Sequence, residues 1–153
     1  MKIVYLKSAY LIALILFTLI SHAKNSADMS PQASTRTHAQ NYKDMVLASC
    51  IASAYTNEKN AAIDAGSSVS ALRDWTYYDL EKSPDAINSL VNSYLERNYQ
   101  NPLAESEIKG VRFDLLKCLD LYHSKQLESL VKRVVIHPKR TYREGDPPPV
   151  KNR

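Results

Sequence analysis

Ser83-Pro84-Asp85-Ala86-Ile87-Asn88-Ser89-Leu90-Val91-Asn92-Ser93-Tyr94-Leu95 reads as a helix from both of its ends. Ser can accept from the exposed amides of a helix start, and Pro fits the first helical position, where no backbone donor is needed. Ile87, Leu90, Val91, Tyr94 and Leu95 recur at helical spacing, opposite Asn88, Ser89, Asn92, Ser93 and Glu96, so one stripe requires a core. Upstream, Thr37-His38-Ala39-Gln40 has capping-box spacing, and Tyr42, Val46, Cys50 and Ala54 follow at every fourth position, predicting a first helix over about 38–56. Asn57 is placed to cap a short second helix to Ala65, which Gly66 ends in a left-handed turn; Ser67 or Ser68 then caps a third, to about Leu80. In that third helix Val69, Leu72, Trp75, Thr76 and Leu80 gather on one side and leave Asp74, Tyr77 and Glu81 on the other.

Downstream, the helix from Ser83 stops near Arg97, and Asn98-Tyr99-Gln100-Asn101 forms a tight polar connection before the start signal Asn101-Pro102. A helix over about 102–122 then presents Ile108, Val111, Leu115, Cys118, Leu119 and Tyr122 on one face. Gly110 costs about 1 kcal/mol there relative to Ala, which points to a close helix crossing. Ser124 restarts a last helix through Leu127, Leu130, Val131, Val134 and Val135, ended by His137-Pro138. No strand alternation, internal repeat or Gly-rich phosphate loop interrupts this series. The expected class is all-α, a compact bundle of five to six helices over residues 37–138.

The chain ends read differently. Lys2 and Lys7 precede an apolar run from Ala9 to Ile20 that closes in Ser21-His22-Ala23, the pattern of a secretory signal peptide cut after Ala23. A membrane span normally needs about 18 apolar residues, more than this run supplies. No Cys follows the run for lipid attachment. The mature protein is therefore expected to be residues 24–153, one domain in size, exported to an oxidising compartment, soluble and without a membrane anchor. Residues 24–36 are almost devoid of apolar side chains and read as a flexible segment. Residues 139–153, with Pro147-Pro148-Pro149, read as a disordered, basic, Pro-rich tail.

Without Lys2 and Lys7 the formal charge falls from +4 to +2, and residues 24–130 carry 11 basic and 14 acidic side chains. The body is mildly acidic and the basicity belongs to the tail, which excludes the clustered basic face that nucleic-acid binding needs. Three mature histidines, His38, His123 and His137, show no metal-ligand spacing, and no nucleophile elbow, H-E-x-x-H or paired-Cys motif is present. Neither a metal nor another cofactor is expected, and nothing looks like an active site. Cys50 and Cys118, on buried stripes of separate helices, are most simply a disulfide in an oxidising compartment; a nucleophilic Cys paired with a distant His is the alternative that only geometry decides. Eight mature tyrosines remain, and Tyr77 and Tyr99 fall off the core stripes. An exposed Tyr is ordinary, but Tyr is also favoured at protein interfaces.

Three stretches carry a resemblance: Ala39-Gln40-Asn41-Tyr42-Lys43-Asp44-Met45-Val46-Leu47-Ala48-Ser49-Cys50, Ala71-Leu72-Arg73-Asp74-Trp75-Thr76-Tyr77-Tyr78, and Lys109-Gly110-Val111-Arg112-Phe113-Asp114-Leu115-Leu116-Lys117-Cys118-Leu119-Asp120. From about Thr37 to Pro138 the chain resembles the immunity proteins that neutralise the fourth family of type VI secretion amidase effectors. The resemblance implies a periplasmic protein, not an enzyme, that binds a papain-like Cys-His cell-wall amidase and so protects against self and sister-cell intoxication. It implies a homodimer in which a loop of one subunit enters the amidase cleft and a helix of the other adds contacts. Matched by order, the loop is Asn98, Tyr99, Gln100 and Asn101, with Leu103 and Glu105 at its exit. The assisting helix is the third, with Asp74, Tyr77 and Tyr78. An exported inhibitor of another wall hydrolase, such as a lysozyme, and an enzyme using Cys50 or Cys118 with His123 or His137 are the other readings.

Overall fold

Of the expected capping residues, Thr37, Asn101 and Ser124 cap helix starts, whereas Asn57 and Ser83 do not. Thr37 Oγ1 accepts from the Gln40 amide while Gln40 Oε1 accepts from the Thr37 amide, completing the capping box of α1, His38–Ala54. The computed structural model describes residues 31–145, and from Ala33 onward these belong to one compact unit. After a 3-10 turn at Gln32–Thr35 and α1 come α2 (Lys59–Arg73), α3 (Ser83–Leu95), α4 (Pro102–Glu107), α5 (Asp114–Tyr122), α6 (Lys125–Val134) and α7 (Tyr142–Gly145). Among the described residues there is no strand, only the isolated bridges Thr37 to Thr141 and Tyr78 to Val135. The class is all-α. No described helix is long and apolar enough to cross a membrane.

Helix α1 packs against α2, α3, α5 and α6, and its Tyr42, Met45, Val46 and Cys50 are buried. Ile87, Val91 and Tyr94 of α3, Leu121 of α5 and Leu127, Leu130, Val131 and Val134 of α6 close the core around them. Cys50 and Cys118 form a disulfide with Cα atoms 5.7 Å apart, joining α1 to α5 inside that core. The chain-entropy account for a separation of 68 residues gives about 4 kcal/mol. With no cysteine free, the thiol-nucleophile reading is withdrawn.

Several expectations are corrected. Gly66 does not end a helix: α2 runs through it, and the Ser67, Ser68 and Ser70 hydroxyls donate to the carbonyls of Ile63, Asp64 and Gly66 one turn back, so none of them caps. The helix expected to reach Leu80 stops at Arg73, and Asp74, Tyr77 and Tyr78 lie beyond it. The helix expected over 102–122 breaks after Glu107, because Gly110 (φ 77°) and Phe113 (φ 55°) adopt left-handed conformations. Nothing approaches Gly110 within 4 Å of an added Cβ, so it serves a turn and not a helix crossing. The break also resets the helical phase: Leu115 and Leu119 are exposed, while Lys117 and Leu121 face inward with Cys118. Finally, Ser83 is buried and shares a hydrogen bond with the Tyr42 hydroxyl. The turn before α3 is held by Asp79, whose Oδ1 accepts from the amides of Glu81 and Lys82 at 3.0 Å.

The expected signal over 1–23, residues 24–30 and 146–153 lie outside the described residues. Within them, residues at both ends make ordered contacts. Ala33 is buried and its carbonyl accepts from Asn41 Nδ2 at 2.7 Å. The amides of His38 and Ala39, unpaired by the helix itself, donate to the carbonyls of Arg140 and Pro138 at 2.8 and 3.0 Å. The carbonyls of Pro138 and Arg140 thus serve as a backbone cap for the start of α1.

Candidate functional site

Between the end of α3 at Leu95 and the start of α5 at Asp114, none of the described side chains joins the core. The base of this excursion is fixed. Lys117 Nζ, almost fully buried, donates to the Leu95 carbonyl at 3.0 Å and pairs with Asp114 Oδ1 at 2.9 Å. One cation thus ties the carbonyl end of α3 to the first turn of α5. Farther out, the Tyr99 hydroxyl donates to Asp120 Oδ2 of α5 at 2.5 Å. That bond, and then burial, raise the Tyr99 phenol above its ordinary range, with Arg97 opposing, so the group remains a protonated donor at neutral pH. The Arg97 guanidinium lies 3.4 Å from the centre of the Tyr94 ring.

Asn101 then ends the connection as expected: its Oδ1 accepts from the Leu103 and Ala104 amides at 3.1 and 3.3 Å, and Pro102 opens α4. The capped start presents Leu103 outward at 84% exposure. Asn98 and Gln100 are exposed, Tyr99 is half-buried, and Glu105 sits in α4. Ile108 is also exposed. The region is a short connection braced from α5, with polar and apolar groups at the surface.

The second expected surface is built differently. Asp74 is exposed at the end of α2. Tyr77 packs its ring 4.9 Å from that of His38 and 6.1 Å from that of Tyr142, and its carbonyl accepts from the Ile136 amide at 2.8 Å. The Tyr78 ring meets Tyr42 edge-on at 5.3 Å. Both tyrosines are engaged by the fold, though Tyr77 keeps 41% of its surface in water.

Residues 40–131 match the family described as Tai4, type VI secretion system (T6SS), amidase immunity protein. The chain belongs to this amidase immunity family. The match spans α1 to α6 up to Val131 and includes both cysteines and the whole excursion between α3 and α5. A chain from work on new type VI-secreted toxins and self-resistance proteins in Serratia marcescens has 26% identity and a TM-score of 0.68 over 76% of this chain and 92% of its own. One from the Tae4/Tai4 effector–immunity system of Salmonella typhimurium has 22% identity and a TM-score of 0.58 over 68% and 95%, a likeness of fold. No curated protein matches.

In this member of the immunity family, two residues central to the excursion escape a reading by periodicity. Lys117 stands between Leu116 and Cys118 in a largely apolar stretch of sequence, and its one signal is Asp114 three positions earlier. Asp120 is 21 positions from Tyr99, and no local pattern connects them.

Proposed function

We propose that this chain is a periplasmic immunity protein that binds a type VI cell-wall amidase and blocks its cleft with the connection between α3 and α4. Family membership supports the partner class, and the 84% exposure of Leu103 on a capped, braced connection is the observation that carries the location. An apolar side chain held in water by a short ordered segment loses little entropy on burial in a cleft, which favours tight binding. Asn98, Gln100 and Asn101 supply polar contacts beside it, and Tyr99 holds the segment in shape. Inhibition is by occlusion, with no covalent step contributed by the inhibitor. In the proposed homodimer, Asp74 and the exposed edge of Tyr77 from the second subunit add contacts.

The test is cleavage of wall peptide by a cognate type VI amidase of the fourth family, titrated with purified residues 24–153. Complete inhibition near one protomer per amidase is expected. Full activity in the presence of excess folded protein would remove the proposal, and inhibition of a lysozyme instead would redirect it to another wall hydrolase.

A further inference from the structure

We infer that the open groove between α3, the end of α5 and α6 is a second contact surface for the amidase, receiving an acidic segment that carries an apolar side chain. The inference rests on the proposed function. The groove encloses about 810 Å³, too large for a single carboxylate and suited to a stretch of chain. Its floor includes Leu90, Tyr94 and Leu130, and its walls carry Arg97, Lys125 and Arg133.

The charge of these walls is unusual for this molecule, whose body has more acidic than basic side chains. Among the described residues none of the three cations is in an ion pair. Arg97 is stacked on Tyr94, which orients its guanidinium without neutralising it. The carboxylate in the lining, Asp120, already accepts from Tyr99. The groove thus has an apolar floor and cationic walls with unspent charge, which selects a segment of opposite charge with an apolar anchor.

Its position ties it to the proposed inhibitory connection. Arg97 lies two residues before Tyr99, and Asp120 holds the Tyr99 hydroxyl from the groove wall. An amidase engaging Leu103 would therefore bring the rim of its cleft to the groove. Charges at such a rim act chiefly on the association rate and on its dependence on salt.

The test compares three proteins for association with the amidase and for inhibition: wild type, Leu103→Asp, and Lys125→Glu combined with Arg133→Glu. All three sites are exposed, so melting is expected to stay near that of wild type. At low ionic strength the charge-reversed protein should associate at least tenfold more slowly, with the gap closing as salt is added. Lys125→Arg with Arg133→Lys should behave as wild type. Equal association by wild type and the charge-reversed protein at low salt would overturn the groove assignment. A slow charge-reversed protein beside a fully active Leu103→Asp would instead keep the groove and overturn the connection. If the reversed pair melts early, Lys125→Gln with Arg133→Gln is the substitute, and unchanged association by it likewise overturns the groove.

Discussion

The segments 96–104 and 74–82 both leave a helix, both carry tyrosines off the core stripes, and both resemble partner-facing surfaces in the sequence. In the structure they are unlike. Tyr77 and Tyr78 stack on His38 and Tyr42, and their backbone pairs with residues 134–136, so 74–82 is a seam that closes the bundle. Tyr99 is braced from the outside by Asp120, and the residues around it stay out of the core. A ring packed on the core, as Tyr78 is on Tyr42, contributes to stability, whereas Tyr99 steadies a segment whose side chains stay at the surface. The comparison predicts a double dissociation between folding and inhibition.

The disulfide holds the frame behind both segments, so its loss sets the scale. Cys50→Ser should lower unfolding free energy by about 4 kcal/mol in urea titration while the folded fraction inhibits as before. A fall of inhibition beyond the unfolded fraction would mean the frame shapes the binding segment directly. Within the seam, Tyr78→Ala removes a half-buried ring and should cost about 2 kcal/mol, again with inhibition intact. Loss of inhibition at unchanged stability would move Tyr78 to the contact surface. In the exposed segment, Asn101→Ala removes a cap worth about 1 kcal/mol. Its effect should be local, read as faster hydrogen exchange at the Leu103 and Ala104 amides with little change in global melting.

The smallest effect is acidic. Asp79 is held below the ordinary carboxylate range, chiefly by the Lys82 amide and then by the Lys82 side chain. A depressed carboxylate contributes stability that is complete above its unfolded pKa and is lost as pH falls through the folded one. Acidification through the carboxylate range should therefore loosen the turn at 79–82, and Asp79→Asn should flatten that part of the stability profile.

The difference between the segments also explains what the sequence discloses. Capped starts at Thr37, Asn101 and Ser124 were legible because a side chain and the amides it serves lie within three residues of each other. The stripes of α3 and α6 were legible because each runs in one phase from end to end. Gly66 misled because glycine is compatible with both a helix interior and a left-handed stop, and here its flanking serines bond back along the helix. The break at Gly110 and Phe113 was hidden for a related reason: Phe is a rare choice for a left-handed residue, so a continuous stripe looked better than a restart. For the site, the polar connection at 98–101 and its Asn101 cap were legible locally, whereas Leu103 and Glu105 entered only with the resemblance. The connection's bracing by Lys117 and Asp120, and the stacking of Tyr77 and Tyr78, depend on contacts across 21 to 39 positions that no local pattern reports.

One substitution tests the central claim most directly. Leu103→Asp places a charge on the most exposed apolar side chain of the connection, where it should leave urea unfolding unchanged and weaken amidase inhibition at least tenfold, about 1.4 kcal/mol or more. Full inhibition by a normally folded Leu103→Asp protein would contradict the account.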